Sequence, residues 1–229
     1  MKQRIALLDL WRTMALLCMI GYHLCYDLVY FGMQPSKFLH QVPVRLLYYT
    51  SAYPFLFLAG ASCRFSHDNL RRGFRVFCCG LLVSAAGIVV QNPIQFGVLH
   101  FLGCGMILYG LFGTYLERIP RAVAPVLWIV LFVVTKCWLD HVTVQAKWLW
   151  MFGFPYEGFY SSDYYPLLPW IFLFLLGTWF GGVLQRHREN RILTVQCPSW
   201  LTWPGRHTLW IYLLHQPVLY GVCMVLVAH

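Results

Sequence analysis

Charge is scarce in this sequence. Lys, Arg, Asp and Glu together supply 11% of its 229 residues, and only 8 are acidic. A soluble domain carries about 25% charged residues, so a water-soluble enzyme is a poor reading. A disordered chain is excluded as well, because 59% of the residues are hydrophobic,. The nine cysteines include no CxxC pair and no Cys/His metal spacing,. They read as small apolar residues in helix packing, and no metal is expected. No low-complexity linker and no repeat of about 20–50 residues interrupts the chain, so residues 1–229 read as one membrane domain,.

What the sequence has is apolar length. A membrane-spanning helix needs about 20 mostly apolar residues. Seven stretches qualify: Leu10–Phe31, Val44–Ser62, Phe74–Val90, Val98–Leu116, Ala122–Leu139, Pro166–Leu184 and Thr208–Val227. The expected fold is therefore all-α, a polytopic membrane helix bundle of about seven transmembrane helices. Lipid offers no hydrogen bonds, and a helix satisfies its own backbone. Mean hydropathy of +0.60 agrees. Asp9 and Arg12 interrupt the first apolar stretch and no small-residue cleavage site follows, so it reads as a retained span rather than a signal peptide,.

The basic residues give an orientation. Lys2, Arg4, Arg12, Arg64, Arg71, Arg72, Arg75, Arg118, Arg121, Arg186, Arg188, Arg191 and Arg206 fall on one side of the alternation, 13 in all. Only 4, Lys37, Arg45, Lys136 and Lys147, fall on the other. The positive-inside rule then places the N-terminus in the cytoplasm and the C-terminus outside, in a plasma-membrane protein. This distribution also accounts for the net charge of +9 without nucleic acid, which is not expected as a partner,.

One loop is long. Asp140–Tyr165 is rich in aromatics, Gly and Pro and falls on the outer side. A loop of that length is uncommon unless functional or disordered, and its aromatics argue against disorder. Trp148, Trp150, Phe152 and Phe154 read as an aromatic belt at headgroup level, or as a lid for a substrate arriving from outside,.

Ionisable groups inside spans cost about 2.5–3.5 kcal/mol each at the centre on insertion scales, which makes them informative. His23 and Asp27 lie four residues apart, on one face of the first span,. Counted from Leu10, His23 sits about 20 Å from the inner end, in the outer half of the bilayer. A carboxylate beside an imidazole fixes its tautomer and suits a general base, or a histidine that is itself acylated. The pair also suits a packing hydrogen bond between helices. Gln91, Asn92, Gln95 and His100 bracket the outer turn between spans three and four, Asp163 precedes span six, and His215 and Gln216 stand before Pro217. At the inner end Asp9 and Arg12 are three apart, with Arg206 and His207 opening the last span. These residues do not name a reaction: acid–base or covalent catalysis, a proton-coupled transporter or flippase, and a non-catalytic membrane scaffold all fit them. The lack of an inverted repeat weighs against transport, and the buried polar pair weighs against a scaffold.

Four segments carry a resemblance: RIALLDLWRTMALLCMIGYHLCYDL at Arg4–Leu28, FGVLHFLG at Phe96–Gly103, SSDYYPLLPWIFLFLLG at Ser161–Gly177 and GRHTLWIYLLHQPV at Gly205–Val218. The chain resembles bacterial members of the heparan-α-glucosaminide N-acetyltransferase catalytic family, within the wider transmembrane acyltransferases. The resemblance implies an acetyl group taken from acetyl-CoA at the cytoplasmic face and delivered to an amine or hydroxyl of a sugar or glycan on the other face. It implies His23 and Asp27 as the catalytic pair, from a YHxxYD pattern. An LDxxR motif falls on Leu8, Asp9 and Arg12, followed by Thr13 where relatives carry Gly. Arg12, Arg64 and Arg206 become candidates for the coenzyme phosphates, and His100, Asp163, His215 and Gln216 for the acceptor side. Acetyl-CoA would be a co-substrate, the bilayer the surroundings, and a homo-oligomer stays open.

Overall fold

The computed structural model describes residues 5–139, 141–142, 146–190, 193, 195 and 197–228. Lys2, Arg4, Asp140 and Arg191, counted above, lie outside them. Among the described residues the chain is helical with no strand. Eight α-helices occur in order: α1 (Ala6–Tyr30), α2 (Val42–Cys63), α3 (Asn69–Val89), α4 (Val98–Leu116), α5 (Ala124–Leu139), α6 (Leu167–Arg186), α7 (Ser199–Arg206) and α8 (Thr208–Ala228). Short 3-10 turns at Ser36–His40 and Leu149–Phe152 accompany them, the second inside the aromatic loop.

Five of these helices are long and apolar enough to cross a membrane: α1, α3, α4, α6 and α8. The expected count of seven exceeds this by α2 and α5. Both form helices where spans were expected. However, α5 has only 16 residues, a length of about 24 Å. α2 is long enough, but Tyr48, Tyr49, Thr50, Ser51, Tyr53 and Pro54 dilute its apolar character. The short helix α7 was not anticipated, because its eight residues carry Trp, Thr and two turn formers and show no long apolar run.

Two compact units divide the chain, Met1–Leu58 with His187–His229, and Ala59–Arg186. In the first, α1 and α8 run parallel: Asp9 near the start of α1 meets Arg206, which ends α7 just before α8 begins, and Asp27 meets Gln216 further along. Only 17% of the α8 apolar window is buried within the protein, so most of that helix presents Leu214, Val218, Val222 and Val225 outward, as lipid contact requires,.

In the second unit α3 packs antiparallel on α4. A Cβ on Gly103 would lie 2.6 Å from that of Phe77, and one on Gly73 would lie 2.8 Å from the Gly103 carbonyl oxygen. Small residues let the two backbones approach, which is how helices associate where there is no hydrophobic drive between them. α5 lies antiparallel to α6 through Trp128 stacked on Phe172 and Phe132 against Trp170. α4 is the core of this unit, with 56% of its window buried. The α4 and α6 N-termini share one end, joined by Tyr165 N–H donating to the Phe96 carbonyl (2.9 Å). The C-terminal ends of α2, α4 and α6 share the other end with the start of α5, around one cavity.

Candidate active site

In the first unit four polar side chains meet between α1 and α8. Asp27 is 1% exposed, and its Oδ1 accepts a 2.8 Å hydrogen bond from Gln216 Nε2. The His23 ring lies edge-on to the His215 ring, centroids 4.9 Å apart. Tyr22 flanks His23 and Tyr212 flanks His215. Helical spacing does put His23 and Asp27 on one face. The expected direct bond between them does not form among the described residues, where the carboxylate is bonded instead to an amide that α8 brings. His215 is 9% exposed, with Nδ1 2.6 Å from the Tyr212 carbonyl oxygen. Among the described residues, Asp27 Oδ2, His215 Nε2 and Gln216 Oε1 are buried without a hydrogen-bond partner.

At the start of α1, Asp9 is 1% exposed and is approached by the guanidiniums of Arg12 and Arg206. Arg12 Nη1 approaches its Oδ1 at 2.6 Å, and Arg206 Nε approaches its Oδ2 at 3.5 Å. Thr13 bridges α1 to α7. Its hydroxyl lies 2.8 Å from the Leu201 carbonyl and accepts from the Gly205 N–H at 3.0 Å. A Cβ on Gly205 would fall 1.9 Å from the Asp9 carbonyl oxygen, so that contact requires glycine. Arg12 and Arg206 thus neutralise one buried carboxylate and clamp α1 to α7.

His100 and Asp163 belong to the second unit, at the end where α4 and α6 begin. Asp163 Oδ2 accepts from the Val98 N–H (3.0 Å), one of the orphan amides of the α4 N-terminus,. Ser161 fixes the loop by accepting from Gln95 N–H (2.8 Å) and donating to the Asp163 carbonyl (2.6 Å). Burial pushes the Asp163 carboxyl up to about 6, with the Val98 N–H opposing that shift,. His100, 5% exposed, lies edge-on to Phe77 and stacked on Phe96, with Nδ1 unpartnered among the described residues. Phe96 continues into an aromatic cluster of Trp150, Phe159 and Tyr164 from the long loop. Burial pushes the Tyr164 phenol up to about 12.

Arg64 sits at the opposite end of that unit. It pairs with Glu117, and both hydrogen-bond Tyr109. Arg121, Arg186, Thr178, Trp128 and Trp179 complete a cavity of about 80 Å³ around it. Sequence reasoning counted Arg121 and Arg186 only as topological charge and missed Tyr109 and Glu117. Nothing local in the sequence marks residues from the ends of four helices as neighbours. The nine candidate residues fall in two groups within the first unit, His23 with Asp27, His215 and Gln216, and Arg12 with Arg206; and in two within the second, His100 with Asp163, and Arg64 at the opposite end of that unit.

Comparison with known proteins gives one family. A family model described as heparan-alpha-glucosaminide N-acetyltransferase, catalytic, matches residues 4–217. No curated protein and no solved structure matches the chain.

Proposed function

The chain belongs to the heparan-α-glucosaminide N-acetyltransferase catalytic family, and on that premise we propose that it transfers an acetyl group from acetyl-CoA at the cytoplasmic face to an amine or hydroxyl of a sugar or glycan on the extracytoplasmic side. The observation that carries the reading is the polar cluster of His23, Asp27, His215 and Gln216 on two apolar helices. Such groups are expensive in lipid and are kept where they work. The single family match runs through both compact units, which supports treating them as one catalytic domain.

The proposed topology is seven spans in a plasma membrane, with α2 and α5 as the two less apolar ones. Parallel α1 and α8 fit an odd number of crossings, and α3 antiparallel to α4 and α5 to α6 fit alternation. Arg64, Arg121 and Arg186 at one end of the second unit fit the positive-inside orientation,.

His23 is the proposed catalytic residue, either as general base on the acceptor or as transient carrier of the acetyl group. Asp27 shapes its surroundings through Gln216 and α8. Of the three arginines proposed for the coenzyme phosphates, Arg64 has the strongest support. It lines a cavity with two further guanidiniums, and planar guanidiniums suit phosphate oxygens,. Arg12 and Arg206 are committed to Asp9. His100 and Asp163 are proposed for the acceptor side, next to an aromatic cluster of the kind that stacks on sugar rings. Purified protein given labelled acetyl-CoA and glucosamine should form labelled product. Uptake of the sugar into vesicles without acetylation would point to a carrier instead.

A further inference from the structure

We propose that His215 is a second catalytic histidine, whose Nε2 takes the proton of the acceptor's amine or hydroxyl as it attacks the acetyl carbon. This rests on the acyltransferase reading above and adds a division of labour to it.

The tautomer is the first observation. His215 Nδ1 lies 2.6 Å from the Tyr212 carbonyl oxygen. A carbonyl only accepts, so the neutral ring carries its hydrogen on Nδ1 and leaves Nε2 as a bare lone pair. A base needs that arrangement before it can receive a proton. No hydrogen bond fixes the His23 ring among the described residues, so of the two rings His215 is the one held ready.

The second observation is the other groups of the same cluster. Among the described residues His215 Nε2, Asp27 Oδ2 and Gln216 Oε1 are buried and unpartnered, and all three are acceptors. The Asp27 carboxylate and Gln216 amide are tied together by their own bond, which fixes their free oxygens. A molecule that satisfies three lone pairs must bring hydrogen-bond donors, and an amino or hydroxyl sugar has several. A thioester carbonyl has none. The cluster is therefore matched to the acceptor rather than to the donor. The edge-on contact of the two rings, with centroids 4.9 Å apart, puts His23 beside the same position.

The step balances without another reagent. The acceptor nitrogen or oxygen forms its bond to the acetyl carbon, and its proton passes to His215 Nε2. The bond from that carbon to the leaving group then breaks, either to the coenzyme sulfur or, in a two-stage route, to the His23 nitrogen. The leaving group collects the proton from the His215 imidazolium. Gln216 acts as a positioning residue.

A structural histidine and a proton acceptor differ in which acceptors they serve. General-base assistance is worth about 10²–10⁴-fold for nucleophiles that must lose a proton in the attack. Hydroxylamine, a strong nucleophile as the neutral molecule, gains much less from it. The full chain in detergent, wild type and with His215→Asn and His215→Gln, is assayed for acetyl transfer from acetyl-CoA to glucosamine and to hydroxylamine. Both variants should lose on the order of 100-fold with glucosamine, and their loss with hydroxylamine should be at least tenfold smaller. Equal losses with both acceptors, or near wild-type rates with both, would overturn the inference and leave the acyltransferase reading standing. Wild-type protein that acetylates hydroxylamine alone would also overturn it. Wild type that acetylates neither would remove the acyltransferase reading and this inference together.

Discussion

Gln216 on α8 donates a 2.8 Å hydrogen bond to the carboxylate of Asp27 on α1, 189 residues away in sequence. That bond satisfies one oxygen of a side chain that lipid would not tolerate, and it sets α8 against the face of α1 that carries His23. Replacing Gln216 by Leu leaves the carboxylate buried without its donor, at about 1–3 kcal/mol. Thermal unfolding in detergent should fall by about 2–4 °C for each of those kcal/mol. An unchanged midpoint would show that the bond does not hold the two helices.

The Asp9 clamp makes a different prediction. Arg12→Ala removes the cation at 2.6 Å from a carboxylate that is 1% exposed, with Arg206 still at 3.5 Å. Losing one partner of a buried pair costs about 3–5 kcal/mol, less here because a second cation remains. Stability should drop clearly while the KM for acetyl-CoA changes by less than about threefold, within about 0.7 kcal/mol of binding. A large rise in KM with unchanged stability would restore Arg12 to the coenzyme site.

Arg64 should behave in the opposite way. Its guanidinium lines the cavity with Arg121 and Arg186. Arg64→Ala should raise the KM for acetyl-CoA by about 10–100-fold, as expected for a lost charge-assisted contact of about 1.5–3 kcal/mol. Steady-state kinetics at two salt concentrations checks this, because a phosphate contact weakens with ionic strength. Glu117→Gln, which removes the internal anion paired to Arg64, should lower the same KM.

Much of this arrangement was legible before the structure. α4 occupies Val98–Leu116 as expected, because an unbroken apolar run marks its own ends. The pairing of Asp9 with Arg12 and the shared face of His23 and Asp27 follow from helical spacing alone. What was not legible is contact between distant segments. Arg206 joins Asp9 from 197 positions away, and Gln216 rather than His23 is bonded to Asp27. The arginines at helix ends satisfy the topology rule whether or not they converge, so Arg121 and Arg186 carried no extra signal. α2 showed that a helix rich in Tyr, Ser and Thr can occupy a span position while falling short in apolarity.

Asp163 gives a pH signature. Burial holds its folded carboxyl at about 6, above the ordinary value of about 3.9 for a free Asp,. Between those values the folded protein binds more protons than the unfolded chain. Its contribution to stability is therefore complete below about pH 4 and is lost as pH rises through 6. The loss is at most about 2–3 kcal/mol at 1.36 kcal/mol per unit. Unfolding midpoints measured from pH 4.5 to 7.5 should decline more steeply for wild type than for Asp163→Asn. Parallel curves would show that Asp163 titrates normally.

The central claim is acyl transfer at His23, and labelled acetyl-CoA tests it most directly. Wild type and His23→Ala are purified with matching unfolding midpoints and given labelled acetyl-CoA and glucosamine. The account predicts labelled product from wild type and a loss of at least about 100-fold in the variant. Full transfer by the variant would contradict it.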